Sequence, residues 1–327
     1  MNYRDLPKPF FVLAPMDDVT DTVFRQIVKS TAPPDLFFTE FTNVDGLQSV
    51  GRPKLERKLR FIEPETRLVA HIWGKTPGNF YKTAQQIVDG TFARELGLPD
   101  GSNFVGIDLN MGCPAKSEVN SGVCSALINN RPLASEIIKA TQDGAAGKLP
   151  VGVKTRLGFS AIDMSWTEFL LGHNLAMLTM HGRTRKEMSK VSAHWDAIGE
   201  VVKLRDKLAP ETLVVGNGDV ENRAEGLELV KKFGLDGIMI GRGVFHDPYA
   251  FATDSPWPSI GRDERLALYR RQVELFAETW QEGERNIKTL NKFCKVYVSD
   301  FDGAKELREQ LMAASTTDEL LHILHSS

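Results

Sequence analysis

The sequence has few cysteines. Its 327 residues include only Cys113, Cys124 and Cys294. An odd number of cysteines without CxxC spacing argues against a disulfide framework and against a cysteine-ligated zinc site. We therefore expect free thiols in a reducing cytoplasm, and no bound metal.

Long apolar runs are also missing. No stretch approaches the roughly 18 consecutive apolar residues that a membrane-spanning helix needs. The apolar run at residues 10–15 is too short for the core of a signal peptide, and Asp17 and Asp18 follow it at once. These absences predict a cytoplasmic protein that makes no contact with a membrane.

Neither sign of charge dominates. The formal net charge is −3, so the chain as a whole is not a polyanion binder, and any contact with nucleic acid must come from local basic patches. The apolar fraction of 42% and the charged fraction of 25% are typical of globular proteins. The length allows one large α/β domain with a small appendage, or two domains.

Common motifs of nucleotide and hydrolase sites are absent too. The sequence has no GxxxxGK[ST] phosphate loop, no HExxH zinc motif and no GxSxG nucleophile motif. Gly216-Asn217-Gly218 lacks the third glycine of a dinucleotide fingerprint. Functional residues must therefore be sought from the arrangement of the strands.

What the chain does have is an alternation of eight short apolar runs with helical patterns. Most runs are continuously apolar at their starts, as in parallel strands buried on both faces. The predicted strands span residues 10–16, 36–41, 68–74, 104–110, 151–158, 176–182, 213–219 and 237–243. The predicted helices between them span residues 21–30, 78–96, 133–146, 166–173, 196–208 and 222–233.

This alternation over about 250 residues indicates an α/β fold, a (β/α)8 TIM barrel. A doubly wound sheet is the alternative, but its first strand would lead into a glycine-rich turn. Here the first strand ends in Ala-Pro-Met-Asp-Asp instead. The barrel is therefore the predicted fold.

The barrel pattern stops after the eighth strand. Residues 254–261 are a linker by composition, with two prolines, two serines and a glycine. Helical patterns follow at roughly 263–282, 287–298, 303–314 and 317–325. We predict a barrel domain over residues 1–255 and a small helical domain over residues 262–327.

Active sites of such barrels form at the C-terminal ends of the strands. Residues able to contact a ligand stand at seven of the predicted strand ends. They are Ala14, Pro15 and Met16 on the first, His71 on the third, Asn110 and Cys113 on the fourth, Lys154 on the fifth, His181 and Arg183 on the sixth, Asn217, Gly218 and Asp219 on the seventh, and Gly241 and Arg242 on the eighth.

The fourth strand ends in a turn that presents a thiol. Gly112 and Pro114 break regular structure on either side of Cys113. A small buried cysteine is the simpler interpretation of a single thiol, but the neighbouring strand ends favour a role in chemistry. Cys124, close by in sequence, is expected to be buried in a helix.

The loops after the seventh and eighth strands indicate a phosphate site. Gly218 and Gly241 permit close approach of the backbone, and Arg242 supplies charge. The alternative is that these glycines only end strands.

Lys154 and His181 are open to two interpretations each. A buried lysine is costly without an anion, so Lys154 faces either a carboxylate of the barrel or the electron-rich edge of a reduced cofactor. His181 is either a core histidine or, with Gly182-Arg183-Thr184 after it, a donor to a phosphate group. Met16 has a soft apolar side chain that suits the face of a flat ring.

Seven segments, nearly one for each strand end and in the same order, resemble the tRNA-dihydrouridine synthases. They are Ala14-Pro15-Met16 with Val19-Thr20-Asp21 and Phe24-Arg25, Thr39-Glu40-Phe41, Asn110-x-Gly112-Cys113-Pro114, Val153-Lys154-x-Arg156-Leu157-Gly158, His181-Gly182-Arg183-Thr184, Asn217-Gly218-Asp219 and Ile240-Gly241-Arg242-Gly243. The helical tail resembles the family's RNA-binding domain more loosely, through Lys292-Phe293 and Gly303-Ala304-x-x-Leu307-Arg308. One departure is His71, which stands where many members have glutamine.

The resemblance implies a barrel that binds FMN and reduces the C5–C6 double bond of selected uridines in tRNA, with NADPH as the reductant. By the family's mechanism, hydride goes to C6 and the Cys113 thiol protonates C5. An unperturbed thiol, with a pKa of about 8.5, holds its proton at neutral pH.

The same resemblance assigns the remaining roles. Asn110 would hold the edge of the uracil, and Lys154 would steady the reduced isoalloxazine. His71 would contact the flavin, with its fit in place of glutamine open. The flavin's ribityl phosphate would be held by His181, Asn217, Gly218, Asp219, Gly241 and Arg242, and Asp219 suits a hydroxyl better than a phosphate.

A predicted helix near the C-terminus carries a basic stripe that could grip RNA. Arg285, Lys288, Lys292 and Lys295 fall within about 80° of one another at 100° per residue. A solvated charged face is the alternative. The loops from Arg52 to Arg60 and from Arg183 to Lys190 are further candidates for RNA contact.

Two other functions fit parts of the pattern. An FMN barrel acting on a free small molecule, like dihydroorotate dehydrogenase or an enoate reductase, would explain the strand ends but not the basic tail. An RNA-binding protein without catalysis would not need Cys113, Lys154 and His181. We therefore expect a monomeric tRNA-modifying reductase.

Overall fold

The computed structural model describes residues 3–63, 65, 67–281 and 283–327. Within these ranges the chain forms nine parallel strands of one sheet. They are β1 (Phe10–Leu13), β2 (Phe37–Phe38), β3 (Thr42–Asn43), β4 (Leu68–Trp73), β5 (Gly106–Met111), β6 (Val151–Arg156), β7 (Met177–His181), β8 (Leu213–Asn217) and β9 (Gly237–Ile240).

The strands follow one another around a barrel. Their order is β1-β9-β8-β7-β6-β5-β4-β2, with the short β3 paired to β4. A parallel bridge between Val12 and Leu36 joins the two ends of this order, and the Leu13 N–H donates to the Leu36 carbonyl at 3.1 Å. The predicted (β/α)8 barrel is confirmed, because eight of these strands are the eight predicted from the sequence.

Helices cover the outside of the barrel and form the end of the chain. The α-helices are α1 (Thr22–Thr31), α2 (Val44–Leu47), α3 (Arg52–Glu56), α4 (Pro77–Val88), α5 (Thr91–Glu95), α6 (Lys116–Asn120), α7 (Arg131–Ala145), α8 (Met164–Leu171), α9 (Trp195–Leu208), α10 (Arg223–Phe233), α11 (Arg262–Thr279), α12 (Asn291–Tyr297), α13 (Ala304–Ala313) and α14 (Thr317–His325). Short 3₁₀ helices span Tyr3–Asp5, Arg57–Leu59, Cys124–Asn129, Arg242–Phe245, Trp257–Ser259 and Ile287–Leu290.

Local sequence explains where several helices begin and end. The Asp21 side chain caps α1 by accepting from the Phe24 N–H at 2.9 Å. The helix predicted at 78–96 is two helices, since Gly90 lies between α4 and α5 with a φ of +67°. The helix predicted at 263–282 ends at Thr279, and the Glu282 end of that prediction lies outside the described residues.

The barrel interior is apolar at the N-terminal ends of the strands. Tyr3, which is 1% exposed, fills the space that glycines leave there. A Cβ added to Gly106 would meet the Tyr3 ring at 2.3 Å, and one added to Gly152 would lie 3.4 Å from the Tyr3 hydroxyl. Because strand side chains alternate, Asn110, four positions after Gly106, and Lys154, two positions after Gly152, face the same interior nearer the opposite end.

The helices that follow β9 pack against the rim of the barrel beside β1. Helix α11 contacts α1, and the Phe293 ring of α12 stacks on Phe24 with centroids 4.8 Å apart. Trp280 donates from its indole N–H to the Asp21 carboxylate at 3.2 Å. The helical tail is thereby fixed at the C-terminal side of the barrel, next to the predicted site.

Candidate active site

The C-terminal ends of the strands line a pocket that contains most of the predicted cofactor-binding residues. Ten of the eleven line it together: Ala14, Pro15, Met16, Lys154, His181, Asn217, Gly218, Asp219, Gly241 and Arg242. Strands β1, β6, β7, β8 and β9 deliver them, because parallel strands end at the same rim. The fold therefore brings residues that are up to more than two hundred positions apart in the sequence into one cavity.

Lys154 brings a cation into this pocket from the interior of β6. In the part of the chain that the structure describes, no carboxylate lies within salt-bridge distance of its ammonium group. Burial and the neighbouring Arg156 lower the pKa of Lys154 to about 8, against the weaker opposing effect of Asp108. The carboxylate-paired alternative is thus not what the geometry shows, and the pocket is open to an anion beside Lys154.

His181 is a neutral hydrogen-bonding group rather than a charge. Burial, together with Arg156 and Lys154, holds the pKa of His181 well below its usual range. Its Nδ1 atom is buried and has no partner among the described residues. Since buried polar atoms are normally satisfied, this atom indicates a contact with a ligand.

The loops after β8 and β9 form a concave backbone surface beside two arginines. Gly218 has a φ of +132°, and an added Cβ would lie 2.9 Å from Cβ of Ala193, so only glycine fits there. An added Cβ on Gly243 would lie 2.3 Å from the Glu221 carbonyl oxygen. Arg242 is exposed and its guanidinium lies at the same edge of the pocket.

Asp219 orients these arginines. Its carboxylate accepts from Arg242 at 2.7 Å, from Arg183, and from the Ala193 N–H at 3.1 Å. The predicted RNA contact at Arg183 is corrected by this geometry, because the Arg183 side chain is 3% exposed and held by Asp219. Asp219 therefore joins the buried Arg183 to Arg242, which lies at the edge of the pocket.

The Cys113 turn is fixed by hydrogen bonds from two strands. The Asn110 side-chain oxygen accepts from the N–H groups of Gly112 at 3.1 Å and Cys113 at 2.9 Å. Arg156 donates from Nε to the Gly112 carbonyl at 2.8 Å and from its terminal nitrogen to the Thr184 and Met188 carbonyls. The turn is therefore rigid, and the half-buried thiol has a defined direction.

The Cys113 thiol differs from the unperturbed thiol that we predicted. A hydrogen bond from the Cys124 thiol lowers the pKa of Cys113 to about 7, with the Ala115 N–H adding to this and burial opposing it. The same contact, with burial, raises the pKa of Cys124. Near neutral pH, Cys113 can both hold and release a proton.

Asn110 has one unused polar atom. Its amide nitrogen is buried and has no partner among the described residues, while its oxygen serves the turn. That nitrogen can donate only to an acceptor that enters from outside. This is what a residue that holds a carbonyl-bearing ring would need.

His71 does not line the pocket. Its side chain is fully buried, its Nδ1 atom lies 2.8 Å from the Asp108 carboxylate, and its ring meets the edges of Phe38 and Phe41. Burial lowers the pKa of His71 and raises that of Asp108. The sequence analysis missed Asp108, although a carboxylate inside an apolar strand is a signal that could have marked it.

The predicted basic stripe is divided in the structure. Arg285 precedes the helical turns, and its side chain is only 6% exposed, because Glu40 accepts from it at 3.0 and 3.1 Å and Asp21 lies 3.2 Å from its Nε. Lys288 donates to the Met312 and Ala314 carbonyls at the end of α13. The prediction of one continuous helical stripe is therefore wrong.

Two of the predicted basic residues remain on the surface of α12. Lys292 is exposed and donates to the Asp18 carbonyl at 3.2 Å, and Lys295 is exposed. Both lie on the tail that packs beside the rim of the barrel.

No helix in the described ranges is long and apolar enough to span a membrane.

Comparison with solved structures agrees with the barrel. A histamine dehydrogenase from Rhizobium sp. 4-9 superposes with a TM-score of 0.51 at 13% identity, covering 81% of this chain and 48% of that one. At this identity the likeness concerns the fold alone.

Comparison of sequences identifies the family. The model of the family described as "Dihydrouridine synthase (Dus)" matches residues 12–326. A "Probable tRNA-dihydrouridine synthase 2" of Bacillus subtilis (strain 168) is 45% identical over 325 residues, which are 98% of this chain and 95% of the relative. A "Probable tRNA-dihydrouridine synthase" of Staphylococcus aureus (strain COL) is also 45% identical, over 98% of this chain and 94% of the relative. The chain therefore belongs to the dihydrouridine synthase family, as its strand-end motifs predicted.

Proposed function

We propose that this protein is an FMN-dependent enzyme that reduces the C5–C6 double bond of specific uridines in tRNA to 5,6-dihydrouridine, with NADPH as the reductant. The observation that carries the proposal is the position of Cys113, a half-buried thiol with a pKa of about 7 on the turn after β5, the strand that pairs with the strand of Lys154. The names of the relatives support the reaction and its tRNA substrate.

The pocket fits a flavin mononucleotide. Lys154 supplies a half-buried cation, and His181 supplies a ring nitrogen without a partner among the described residues. Gly218 and Gly243 line the pocket without side chains. Arg242, held by Asp219 at the edge of the pocket, provides the charge for a phosphate group. When bound there, the cofactor would supply the hydride for C6 of the uracil.

Cys113 supplies the proton for C5. General acids work best when their pKa lies near the operating pH, and a pKa of about 7 meets this condition. The Asn110 and Arg156 hydrogen bonds hold the turn so that the thiol keeps one orientation. The free amide nitrogen of Asn110 donates to a carbonyl of the uracil.

The helical tail holds the RNA while the target base leaves its stack to reach the pocket. Lys292 and Lys295 on α12 are the surface cations that serve this contact, together with the basic loop after β7. The contact is electrostatic, so binding weakens as salt is added. Free thiols at all three cysteines fit a cytoplasmic setting, and the protein acts as a monomer.

The test uses purified protein, NADPH and unmodified tRNA, followed by mass spectrometry of the nucleosides. We expect a uridine to gain two hydrogens, and the Cys113→Ala variant to lose about 10²- to 10⁴-fold in rate, the usual contribution of a general acid. Cys294→Ala is the matched control, because Cys294 lies in the helical tail and is bonded to Tyr269.

The outcomes separate the parts of the proposal. If the protein oxidised NADPH but left the tRNA unchanged, the tRNA substrate would be refuted and the NADPH-dependent reductase activity would stand. Equal rates for the Cys113→Ala and Cys294→Ala variants would show that Cys113 is not the acid.

A further inference from the structure

A second thiol lies against Cys113. Cys124 begins the 3₁₀ helix Cys124–Asn129, and the Ser125 N–H beside it donates to the Cys113 carbonyl at 3.3 Å. This backbone bond joins the start of the helix to the Cys113 turn and brings Cys124 close to Cys113, and the influence of the Cys124 thiol lowers the pKa of Cys113. Cys124 is 1% exposed, whereas Cys113 is half-buried, so an oxidant from solvent meets Cys113 first.

The backbone at Cys124 is unusual. Its φ is +55°, in the left-handed region that residues with a Cβ rarely adopt. Glycine would take this conformation without steric cost. A strained position occupied by a thiol, next to a residue whose backbone bonds to the proposed acid, suggests that the side chain itself has a use.

Cys294 offers an internal comparison. It is also buried, but its sulfur lies 3.0 Å from the Tyr269 hydroxyl in the helical tail, and burial raises its pKa. Only Cys113, among the three thiols, combines exposure with a lowered pKa. Because the thiolate is the form that reacts, oxidation should select Cys113.

We propose that Cys113 and Cys124 are a modification site, at which a peroxide oxidises the two thiols to a reversible disulfide. The Cys113 thiolate attacks one oxygen of hydrogen peroxide, an S–O bond forms, the O–O bond breaks, and hydroxide leaves and is protonated to water. The Cys124 sulfur then attacks the Cys113 sulfenic acid, the S–S bond forms, the S–O bond breaks, and the departing hydroxide takes the Cys124 proton.

Over the two steps, two thiols lose two electrons and two protons, and one hydrogen peroxide becomes two water molecules. A dithiol reductant restores both thiols by exchange. The disulfide removes the proton that the proposed acid would donate, and it keeps Cys113 from the irreversible sulfinic state. The modification does not depend on the proposed function; only its effect on turnover does.

The experiment treats the full-length protein with hydrogen peroxide, alkylates the remaining thiols and digests with trypsin without a reductant. Lys116 lies between the two cysteines, so trypsin separates them and a disulfide appears as two linked peptides. In the wild type we expect linked peptides whose mass is two hydrogens below their sum, and their loss after dithiothreitol. Activity, where measured, should fall and return with the same treatments.

Cys124→Gly is the test variant, because glycine removes the thiol and relieves the left-handed backbone, so the fold is retained. We expect no linked peptides and accumulation of Cys113 sulfinic acid that dithiothreitol does not reverse. Cys294→Ala should behave like the wild type. The proposal would be overturned if the wild type formed no linked peptides and its Cys113 became sulfinic acid as fast as in the Cys124→Gly variant.

The mapping of the peptides needs no tRNA and no NADPH. If tRNA reduction fails but the linked peptides form, the disulfide stands and the proposed function does not. If tRNA is reduced and no linked peptides form, the reverse holds.

Discussion

At the scale of single residues, the protonation of Cys113 decides what this site can do. The Cys124 hydrogen bond favours the thiolate, so the proton is held below a pH of about 7 and lost above it. A step that needs this proton becomes slower as the pH rises through 7. The pair thus sets the pH range in which Cys113 holds a proton that it can donate.

We predict that alkylation of Cys113 by iodoacetamide accelerates between pH 6 and pH 8 with a midpoint of about 7, because the thiolate reacts. The reaction is followed by mass spectrometry of the tryptic peptide that ends at Lys116. Cys294 in the same sample is the control, since its raised pKa and burial keep it slow over this range. A midpoint at the ordinary thiol value would contradict the hydrogen bond. In Cys124→Gly the midpoint should rise.

Lys154 is costly to the protein without a bound anion. Its pKa is about 8 in the folded chain, below the ordinary value of 10.5, because burial disfavours its charge. Between these values the unfolded chain binds a proton that the folded chain does not, so the stability of the wild type rises with pH across this window. Below pH 8 the cost is fully present.

We predict that Lys154→Met raises the free energy of unfolding of the cofactor-free protein at pH 7 by about 1 to 2 kcal/mol. The gain is no larger because Lys154 borders the open pocket, where solvent screens part of its charge. The same variant should retain little flavin on purification. Urea unfolding at pH 7 and pH 10 measures the first effect, which should shrink at pH 10. Lys203→Met, at a 74% exposed side chain, is the control and should show neither effect. A destabilised Lys154→Met variant would contradict the argument.

At the scale of elements, helices α4 and α7 on the outside of the barrel pack so closely that their backbones touch. Gly144 of α7 faces α4, where an added Cβ would lie 2.4 Å from the Tyr81 carbonyl oxygen. Tyr81 belongs to α4, so this contact is between backbones. The glycine sets the distance between the two helices.

Replacing glycine by alanine inside a helix normally stabilises it by about 0.5 to 1 kcal/mol. At Gly144 we predict the opposite, a loss of roughly 2 kcal/mol or more, because α4 and α7 would have to move apart. Gly78→Ala, in α4 with open space around it, is the matched control and should stabilise. Denaturant unfolding of both variants is the measurement. A stabilised Gly144→Ala protein would show that the helices can separate at little cost.

At the scale of the whole molecule, one buried cluster joins the helical tail to the barrel. Arg285 contacts Glu40 and Asp21, whose side chains are 0% and 7% exposed. Burial raises the pKa of both carboxyl groups although Arg285 opposes it. The cluster therefore depends on the arginine to compensate two buried charges.

We predict that Arg285→Ala lowers the free energy of unfolding by about 3 to 5 kcal/mol, because removing one partner leaves the carboxylates unpaired. Hydrogen exchange in α12 should accelerate more than in the strands, since the tail loses its anchor. Arg271→Ala, which breaks an exposed pair with Glu274, should cost less than 1 kcal/mol. Adding Glu40→Gln to Arg285→Ala should restore part of the loss. An Arg285→Ala variant as stable as Arg271→Ala would contradict the anchor.

Much of the fold and of the pocket followed from patterns that are local in sequence. Apolar runs that end in glycine or polar residues specify buried parallel strands, and their alternation with helices specifies a barrel, whose strand ends must share one rim. That rule placed Lys154, Asn217 and Arg242 at a common site without any knowledge of distances. The motifs at those ends also identified the family.

What only the tertiary structure decided concerns which charges meet. Arg183 and Arg285 looked like free cations, but carboxylates far away in sequence neutralise both, Asp219 and Glu40 respectively. The thiol of Cys113 looked unperturbed until Cys124 was brought against it. Propensity and periodicity act over a few residues, whereas burial, ion pairing and pKa depend on neighbours that the fold supplies, so the sequence determined the barrel and its rim, and the packing determined the chemistry of each side chain.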